Sequence, residues 1–270
     1  MRIRTLVLLV PSVLLATYGL QAQAPDAQMP SPAPAANAVP AAPVHPVLKK
    51  GQEEVPGQPG VVQDKHAFGV LPNYRTAEGS VPYSPITWKQ KFHIANDDTL
   101  DGPSFALAAV FSGLSQIEGS EPSFGQGVKG YAHRYATGLA DQIVGNYMTE
   151  ATMPTLFHQD PRYFRLGHGS VLKRTAWAVS RSFIAHNDSG RWNFNYAEWI
   201  GNGIDASIGN AYYVDDRGFV PTYQRWFTQV GTDTISQVLK EFWPDVKRKF
   251  LHKGGDDTPV STELKPAGTK

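Results

Sequence analysis

Two aspartates and two histidines are the side chains of this sequence best suited to acid–base or metal chemistry. They are Asp141, Asp205, His133 and His158. A carboxylate and an imidazole together can act as general base and general acid, or can bind a divalent metal. No spacing among them matches a recognised ligand motif such as HExxH. A periplasmic hydrolase or a metal-dependent enzyme using these four residues is therefore the alternative prediction, and no metal or cofactor is assigned.

The two aspartates also have a structural interpretation, which we prefer. Each lies in a row of small residues spaced four apart, where helix backbones approach closely and water is scarce. An unpaired charge in such a place is destabilising, so the sequence predicts ion pairs between aspartates and arginines of different helices. The residues expected in these structural ion pairs are Asp141, Asp205, Arg134, Arg174 and Arg181.

The stretch HQDPRYFRLGHGS, residues 158–170, concentrates histidine, aspartate and arginine around one proline and two glycines. We interpret it as a corner between two helices, in which Asp160 caps a turn. An active site there would instead require His158 and His168 to converge on Asp141.

Composition excludes several classes of site. The sequence contains no cysteine, which excludes disulfides, thiolate zinc sites and a cysteine nucleophile. Lys and Arg number 25 against 24 Asp and Glu, for a net charge of +1, so no overall field favours nucleic acid. The glycine-rich segment 123–130 lacks the pattern of a phosphate-binding loop, and no cofactor is predicted.

The chain divides by composition into four parts. Residues 1–24 have two arginines, an apolar stretch and a small-residue cleavage pattern, the layout of a signal peptide. Residues 25–65 are rich in Pro and Ala and predict a disordered spacer. Residues 66–253 form the predicted helical domain, and residues 254–270 a disordered tail. The expected location is the bacterial cell envelope, in the periplasm or at a membrane.

The predicted domain is all-α, a bundle of about five helices whose packing seams are rows of small residues. Start and stop signals place the helices at residues 101–118, 127–152, 171–186, 195–213 and 221–244. One such row contains Ala197, Gly201, Asp205 and Gly209. Residues 66–85 predict an irregular strap, and no strands are predicted because no segment alternates with period two.

Aromatic residues flank the fourth predicted helix at both ends, a distribution that suits two membrane interfaces. Trp192, Phe194, Tyr196 and Trp199 lie at one end, and Tyr212 and Tyr213 at the other. No segment of the predicted domain is a continuous apolar run of the length expected of a free-standing membrane span. The preferred prediction is an exported, non-catalytic envelope protein that associates with a membrane through its small-residue helical bundle. Its predicted partner is a bacterial membrane or envelope component. No oligomeric state is predicted.

Four phrases of the sequence are distinctive enough to suggest a relationship. They are FGVLPNYRTAEG, GYAHRYATGLADQIVGNYMTEATMPTLFHQDPRYFRLG, NFNYAEWIGNGIDASIGNAYY and KEFWPDVKRKF. Together they resemble a family of exported hypothetical proteins common in acidobacteria. The resemblance implies a bacterial envelope protein whose core is one unit, and it implies no activity, cofactor or catalytic residue.

Overall fold

The computed structural model describes residues 46–251, and this part of the chain is mainly helical with four small two-stranded sheets. The predicted signal peptide, residues 25–45 of the predicted spacer and the predicted tail lie outside the described residues. Residues 46–65, also assigned to the spacer, include a β-hairpin instead. Val55 between its strands is 2% exposed and packs against Ala77 and Phe164, so the folded unit begins before residue 66.

Six helices carry the fold. They are α1 (Trp88–Thr99), α2 (Gly102–Glu118), α3 (Gly127–Asn146), α4 (Val171–Arg181), α5 (Tyr196–Gly209) and α6 (Phe219–Val246). A short 3-10 turn, Pro122–Phe124, precedes α3. The chain continues from α3 into a π-helical segment, Tyr147–Thr152, and a last turn, Met153–Leu156, and α6 ends in a second π-helical segment, Lys247–Leu251.

Capping residues explain where several helices begin. Thr87 and Gln90 form a reciprocal capping box at the start of α1, a helix that is not among the five predicted from the sequence. Asn195 caps α5 by accepting a hydrogen bond from the Glu198 backbone N–H at 3.1 Å. Asp101 precedes α2 as predicted, but its carboxylate accepts hydrogen bonds from Tyr74 and Ser104 side chains instead of capping the helix.

The prediction of no strands is wrong. The strands are β1 (Gln52–Glu54), β2 (Val62–Asp64), β3 (His66–Ala67), β4 (Leu71–Pro72), β5 (Thr76–Glu78), β6 (Tyr163–Arg165), β7 (Ile184–His186) and β8 (Trp192–Phe194). Three pairs are antiparallel neighbours, β1–β2, β3–β4 and β7–β8, and β5–β6 is parallel, with Ala77 opposite Phe164. Each strand has two or three residues, which is too short to show an alternating pattern.

The third predicted helix also ends earlier than expected. The sequence pattern predicts a helix as far as residue 186, but α4 ends at Arg181 and the chain turns into the β7–β8 hairpin. At the tip of this hairpin the side chain of Asn187 accepts hydrogen bonds from the backbone N–H groups of Ser189 and Arg191. Such a turn competes with continuation of the helix.

Small residues allow two helical segments to lie close together. At Gly201 of α5, an added Cβ would lie 3.0 Å from the Thr149 side chain and 3.1 Å from the Met148 backbone. α2 packs against α3, and α5 packs against α6. The π-helical segment 147–152 packs against both α1 and α5. These contacts bring polar faces of several helices to one interior region.

The interior is unusually polar and the surface unusually apolar. In α2 the buried residues are Ser104 and Ser112, whereas Phe111 and Ile117 are 64% and 84% exposed. In α6 the buried residues include Gln237, Lys240 and Glu241. The apolar clusters of the described chain are small and lie beside the strands, around Phe164 and around Ile94. Between residues 46 and 251, no helix has the length and hydrophobicity required to cross a membrane.

Candidate functional site

The polar faces of the helices line an open cleft of about 400 Å³. The carboxylates that line it are Asp98 of α1, Asp141 of α3, Glu150 of the π-helical segment, Asp205 of α5 and Asp233 of α6. Two cationic side chains, Arg75 and Lys240, and several amides also line it. The cleft therefore collects ionisable groups from five helical segments and from the strand region.

Arg75 organises one end of the cleft. Its guanidinium lies 3.5 Å from a carboxylate oxygen of Glu150, 3.5 Å from Asp233 and 4.0 Å from Glu198. Asn202 links the last two, because its side-chain amide donates to Glu198 at 3.4 Å and to Asp233 at 3.2 Å. Burial raises the pKa of Glu198 well above its usual range, and the neighbouring Asp233 carboxylate adds to the increase.

Glu150 and Asp98 form a second group of charges next to Arg75. Burial raises the pKa of Glu150 well above its usual range, the Asp98 carboxylate raises it further, and Arg75 opposes both. Lys240 is also buried, and its pKa is lowered by desolvation despite the carboxylates around it. Both carboxyl groups are buried, and a hydrogen bond between the Glu150 and Asp98 side chains also raises the pKa of Glu150.

Asp141 lies at the other end of the cleft between two tyrosines. Both of its carboxylate oxygens accept hydrogen bonds, one from the Tyr212 hydroxyl and the other from the Tyr213 hydroxyl at 2.7 Å. Burial raises the pKa of Asp141, and these two hydrogen bonds act in the opposite direction. The tyrosines at the end of α5 thus serve the interior of the protein rather than an interface.

Asp205 faces the same cleft from α5. The Gln229 side chain donates to its Oδ2 at 2.5 Å, while Oδ1 is buried without a partner. Burial, and then the Asp141 carboxylate, raise the pKa of Asp205 to about 7. A carboxyl group with such a pKa can both donate and accept a proton near neutral pH.

The prediction that Asp141 and Asp205 form ion pairs with arginines is wrong for the described residues. Within residues 46–251 neither carboxylate forms a salt bridge with an arginine, and tyrosine hydroxyls and a glutamine amide take that place. Neutral donors suffice because the raised pKa values disfavour the ionised carboxylates.

Arg134 and Arg181 also differ from the prediction. The guanidinium of Arg134 donates to the backbone carbonyls of Ser120, Glu121 and Gly125, and so fixes the turn before α3. The guanidinium of Arg181 lies between the rings of Trp177 and Trp192, 4.0 and 4.1 Å from their centroids. Neither forms a salt bridge with a carboxylate among the described residues.

Arg174 is paired with carboxylates, as expected for this residue. It donates to Glu241 at 2.8 Å and also binds Asp245, so α4 is joined to α6.

The two histidines named as catalytic candidates do not line the cleft. His133 is exposed and stacks on Phe124, with ring centroids 3.8 Å apart. His158 is 84% exposed in its side chain and lies 3.7 Å from Asp188. His168 is exposed and bonds the Leu166 carbonyl at 2.7 Å. The convergence of His158 and His168 on Asp141 that an active site in residues 158–170 required is therefore absent from the described structure.

Most of the charged groups around the cleft were not among the residues predicted from the sequence, namely Arg75, Asp98, Glu150, Glu198, Asp233 and Lys240. A signal was present in α6, where Gln229, Asp233, Gln237 and Glu241 are spaced four apart. A polar row at helical spacing indicates a face directed at a polar interior.

A second candidate region is a connected group of aromatic rings, which we call the aromatic surface. It contains Phe157, Phe183, Phe194, Tyr196, Trp199, Phe219, Tyr223, Trp226 and Phe227. Neighbouring rings are in contact throughout, with centroids from 4.3 to 6.3 Å apart. Six of these side chains are exposed, and Phe219 is 85% exposed. The region therefore presents a continuous aromatic face.

Comparisons with protein-family models, curated proteins and solved structures give no match for this chain. Among residues 46–251 there is also no cluster of three or more His, Asp or Glu side chains arranged to hold a metal ion. Function is therefore inferred from the cleft and the aromatic surface themselves.

Proposed function

We propose that this protein is an exported, non-catalytic component of the bacterial envelope that lies on a membrane through its aromatic surface. The observation that carries the proposal is the connected, exposed set of rings around Trp199 and Phe227. Phe, Tyr and Trp side chains gain free energy at a lipid–water boundary, where apolar rings leave water and polar ring atoms remain near the headgroups.

The charge distribution supports lipid as the partner. Residues 219–227 contain one charged side chain, Arg225, which is only partly exposed and donates to the Ala206 carbonyl. Glu198, the charged residue nearest Trp199 in sequence, is buried. A patch with so few charges limits the desolvation penalty that charged groups add on contact with acyl chains.

The polar interior supports the same proposal. Phe111 and Ile117 on α2, like Phe219 on α6, face outward while serines and charged residues face inward. In water this arrangement leaves apolar surface exposed. Each Å² of apolar surface in contact with water raises the free energy by about 25 cal/mol relative to burial. Contact with a membrane would recover part of that free energy. We propose a bundle whose small-residue rows bring the helices close enough to keep the polar faces together.

The proposal of export depends on the apolar N-terminal stretch of residues 6–15. The protein would meet its membrane or envelope partner after export. Fractionation of cells that express the protein tests this part. Pelleting with membranes is expected, and complete recovery in the soluble periplasmic fraction at low salt would reject membrane association.

Flotation with lipid vesicles tests the aromatic surface itself. The chain without residues 1–24 is used, so that the apolar N-terminal stretch cannot bind lipid. A triple variant, Phe219→Ser, Tyr223→Ser and Phe227→Ser, is expected to lose most vesicle binding. The matched control replaces three exposed apolar residues elsewhere, Val128→Ser, Val171→Ser and Leu172→Ser, and is expected to bind as the unmodified chain does. Equal binding by both variants would reject the assignment, as would a stable dimer that needs the same residues and binds no lipid.

A second candidate function is hydrolysis by acid–base chemistry in the cleft. The observation that favours it is that Asp205 and Asp141 line one cleft and the pKa of Asp205 is raised to about 7. Asp205 would exchange the proton, its pKa raised by burial and then by the Asp141 carboxylate, which two tyrosines hold in place. A screen of ester, amide and glycoside substrates tests it, and activity unchanged by Asp205→Asn would exclude this residue.

A further inference from the structure

Lys240 of α6 is a buried lysine without a partner. The residue is 5% exposed, yet its Nζ takes part in no hydrogen bond or salt bridge with the described part of the chain. Lys91, the other buried lysine of residues 46–251, donates to the Asp188 carboxylate at 2.7 Å and to the Pro154 carbonyl at 3.2 Å. Burial of an unpaired ammonium group is destabilising, so the stability of the fold does not explain the position of Lys240.

Lys240 borders two open cavities. It lines the cleft of about 400 Å³ together with Ser236, which lies one helical turn before it on α6. It also lines a second cavity of about 480 Å³, beside Arg165 and Trp243. Its Nζ is not one of the side-chain atoms that are sealed from solvent without a partner, so the nitrogen retains accessible surface. A small molecule in the cleft can therefore reach this amine.

The surroundings of Lys240 favour its neutral amine form. The charged groups that face it are Asp98 of α1, Glu150 of the π-helical segment, Asp233 of α6 and Arg75. Desolvation lowers the pKa of Lys240 and Arg75 acts in the same direction, whereas the carboxyl groups oppose them. Burial raises the pKa of Glu150, so its protonated form is favoured and it is a weak counterion. A neutral lysine amine is a nucleophile that attacks carbonyl carbon atoms.

We propose that the cleft binds a small, uncharged, hydroxylated aldehyde through a reversible imine with Lys240. The Nζ lone pair forms a bond to the carbonyl carbon, and the carbonyl oxygen leaves as water with the two hydrogens of the amine. The step consumes no oxidant or reductant, and hydrolysis of the imine restores the amine and the aldehyde. The proposal concerns the cleft and is independent of membrane contact through the aromatic surface.

The lining of the cleft favours a ligand that is uncharged and carries hydroxyl groups. Five carboxyl groups line it against two cationic side chains, a balance that disfavours an anionic carbonyl compound. The hydroxyl groups of Thr228, Thr232 and Ser236 and the amides of Gln142 and Asn146 also line it. Such groups both donate and accept hydrogen bonds, as the hydroxyl groups of a ligand do. A volume of about 400 Å³ accommodates a ligand of metabolite size.

Reductive trapping with glycolaldehyde tests the proposal on the purified chain. Sodium cyanoborohydride reduces any imine, so a lysine that has reacted keeps a hydroxyethyl group that peptide mass spectrometry locates. At about pH 7, Lys240 is expected to be modified at least about tenfold faster than the exposed Lys129, because each unit by which a pKa is lowered gives about tenfold more neutral amine. The buried but paired Lys91 is expected to react more slowly than either. Modification of Lys240 no faster than of Lys129, or only after unfolding in urea, would overturn the proposal.

Glyoxylate, an anionic aldehyde of similar size, tests the class of ligand on the same unmodified chain. Relative to Lys129, it is expected to modify Lys240 less than glycolaldehyde does, because the carboxyl groups of the cleft repel it. The same preference of Lys240 over Lys129 with both aldehydes would reject the assignment to uncharged ligands.

A matched pair of leucine variants locates the reaction in the cleft. Ser236→Leu places a larger side chain in the cleft beside Lys240, whereas Ser207→Leu makes the same change at an exposed position of α5 outside it. Ser236→Leu is expected to slow the modification of Lys240 several-fold, and Ser207→Leu to leave it unchanged. Modification of Lys129 serves as the internal standard, and circular dichroism confirms folding of both variants. Equal rates at Lys240 in the two folded variants would overturn the placement of the ligand in the cleft.

Discussion

The guanidinium of Arg162 donates to both carboxylate oxygens of Asp160, at 2.9 and 2.6 Å, and neither side chain is exposed to solvent. The same guanidinium donates to the backbone carbonyls of Pro56 and Ser84. This pair joins the β1–β2 hairpin and the segment before α1 to the start of β6. The stretch 158–170 is thus a structural corner held by a buried ion pair, and its exposed histidines play no part in that contact.

Arg162→Ala is expected to destabilise the fold by about 3–5 kcal/mol, because it leaves the Asp160 carboxylate buried without its partner. The control is Arg248→Ala, which removes an exposed arginine paired with Asp245 and should change stability by about 0–1 kcal/mol. Urea unfolding followed by circular dichroism measures both. Similar losses for the two variants would contradict the role given to Arg162.

Gly201→Ala and Gly231→Ala should change stability in opposite directions. The added methyl at residue 201 meets Thr149 and the Met148 backbone at about 3 Å, so overpacking should destabilise by about 1–3 kcal/mol. No atom lies within 4 Å of the corresponding position at Gly231 in α6, where alanine should stabilise by about 0.5–1 kcal/mol through helix propensity. Thermal melting of both variants distinguishes the two effects, and a stabilised Gly201→Ala would refute the close approach at α5.

Asp205 should make the fold less stable as pH rises. Its pKa is about 7 in the folded protein, above the usual value of 3.8, so the folded state binds the proton more tightly than the unfolded chain does. The resulting stabilisation is fully present below about pH 4 and is lost as pH rises through about 7. Asp205→Asn removes this contribution and still accepts the hydrogen bond from Gln229. The stability of Asp205→Asn relative to the unmodified protein should therefore increase between about pH 4.5 and pH 8, and a difference independent of pH would contradict the raised pKa.

Arg181 should stabilise the fold through its two tryptophans. Its guanidinium lies between Trp177 and Trp192, and burial lowers its pKa to about 10. Arg181→Met keeps an apolar side chain between the rings but removes the charge, and should destabilise by about 1–2 kcal/mol. Conversely, a neutral or stabilising substitution would show that desolvation of the guanidinium outweighs the ring contacts. Guanidinium chloride unfolding followed by tryptophan fluorescence measures the difference.

The sequence predicted the helical character well because its helices have caps and three-to-four residue periodicity. It placed the beginning of α2 after Asp101 and of α5 near Asn195. It missed α1 because most of that helix is polar, although the capping box of Thr87 and Gln90 was a local signal. Strands of two or three residues carry no periodic signal, and their pairing depends on residues far apart, such as Ala77 and Phe164.

The candidate site was predicted in part. The rows of small residues placed Asp141 and Asp205 on inward faces, and both line the cleft. The partners were wrong because the sequence does not show which helices meet: Arg75 lies in a segment predicted to be an irregular strap, and the carboxylates it contacts are 75 or more positions away along the chain. Contacts between residues so far apart along the chain depend on the three-dimensional fold. Local sequence patterns do not specify them.

The polar interior has a thermodynamic consequence for how this protein responds to temperature. Exposure of apolar surface raises the heat capacity on unfolding, and exposure of polar surface lowers it. Here the buried side chains include Arg75, Glu150, Asp205, Lys240 and Glu241, while large apolar side chains are already in contact with solvent. Unfolding should therefore increase the heat capacity by less than the usual value of about 12–15 cal/mol/K per residue. Its curve of stability against temperature would be correspondingly flat.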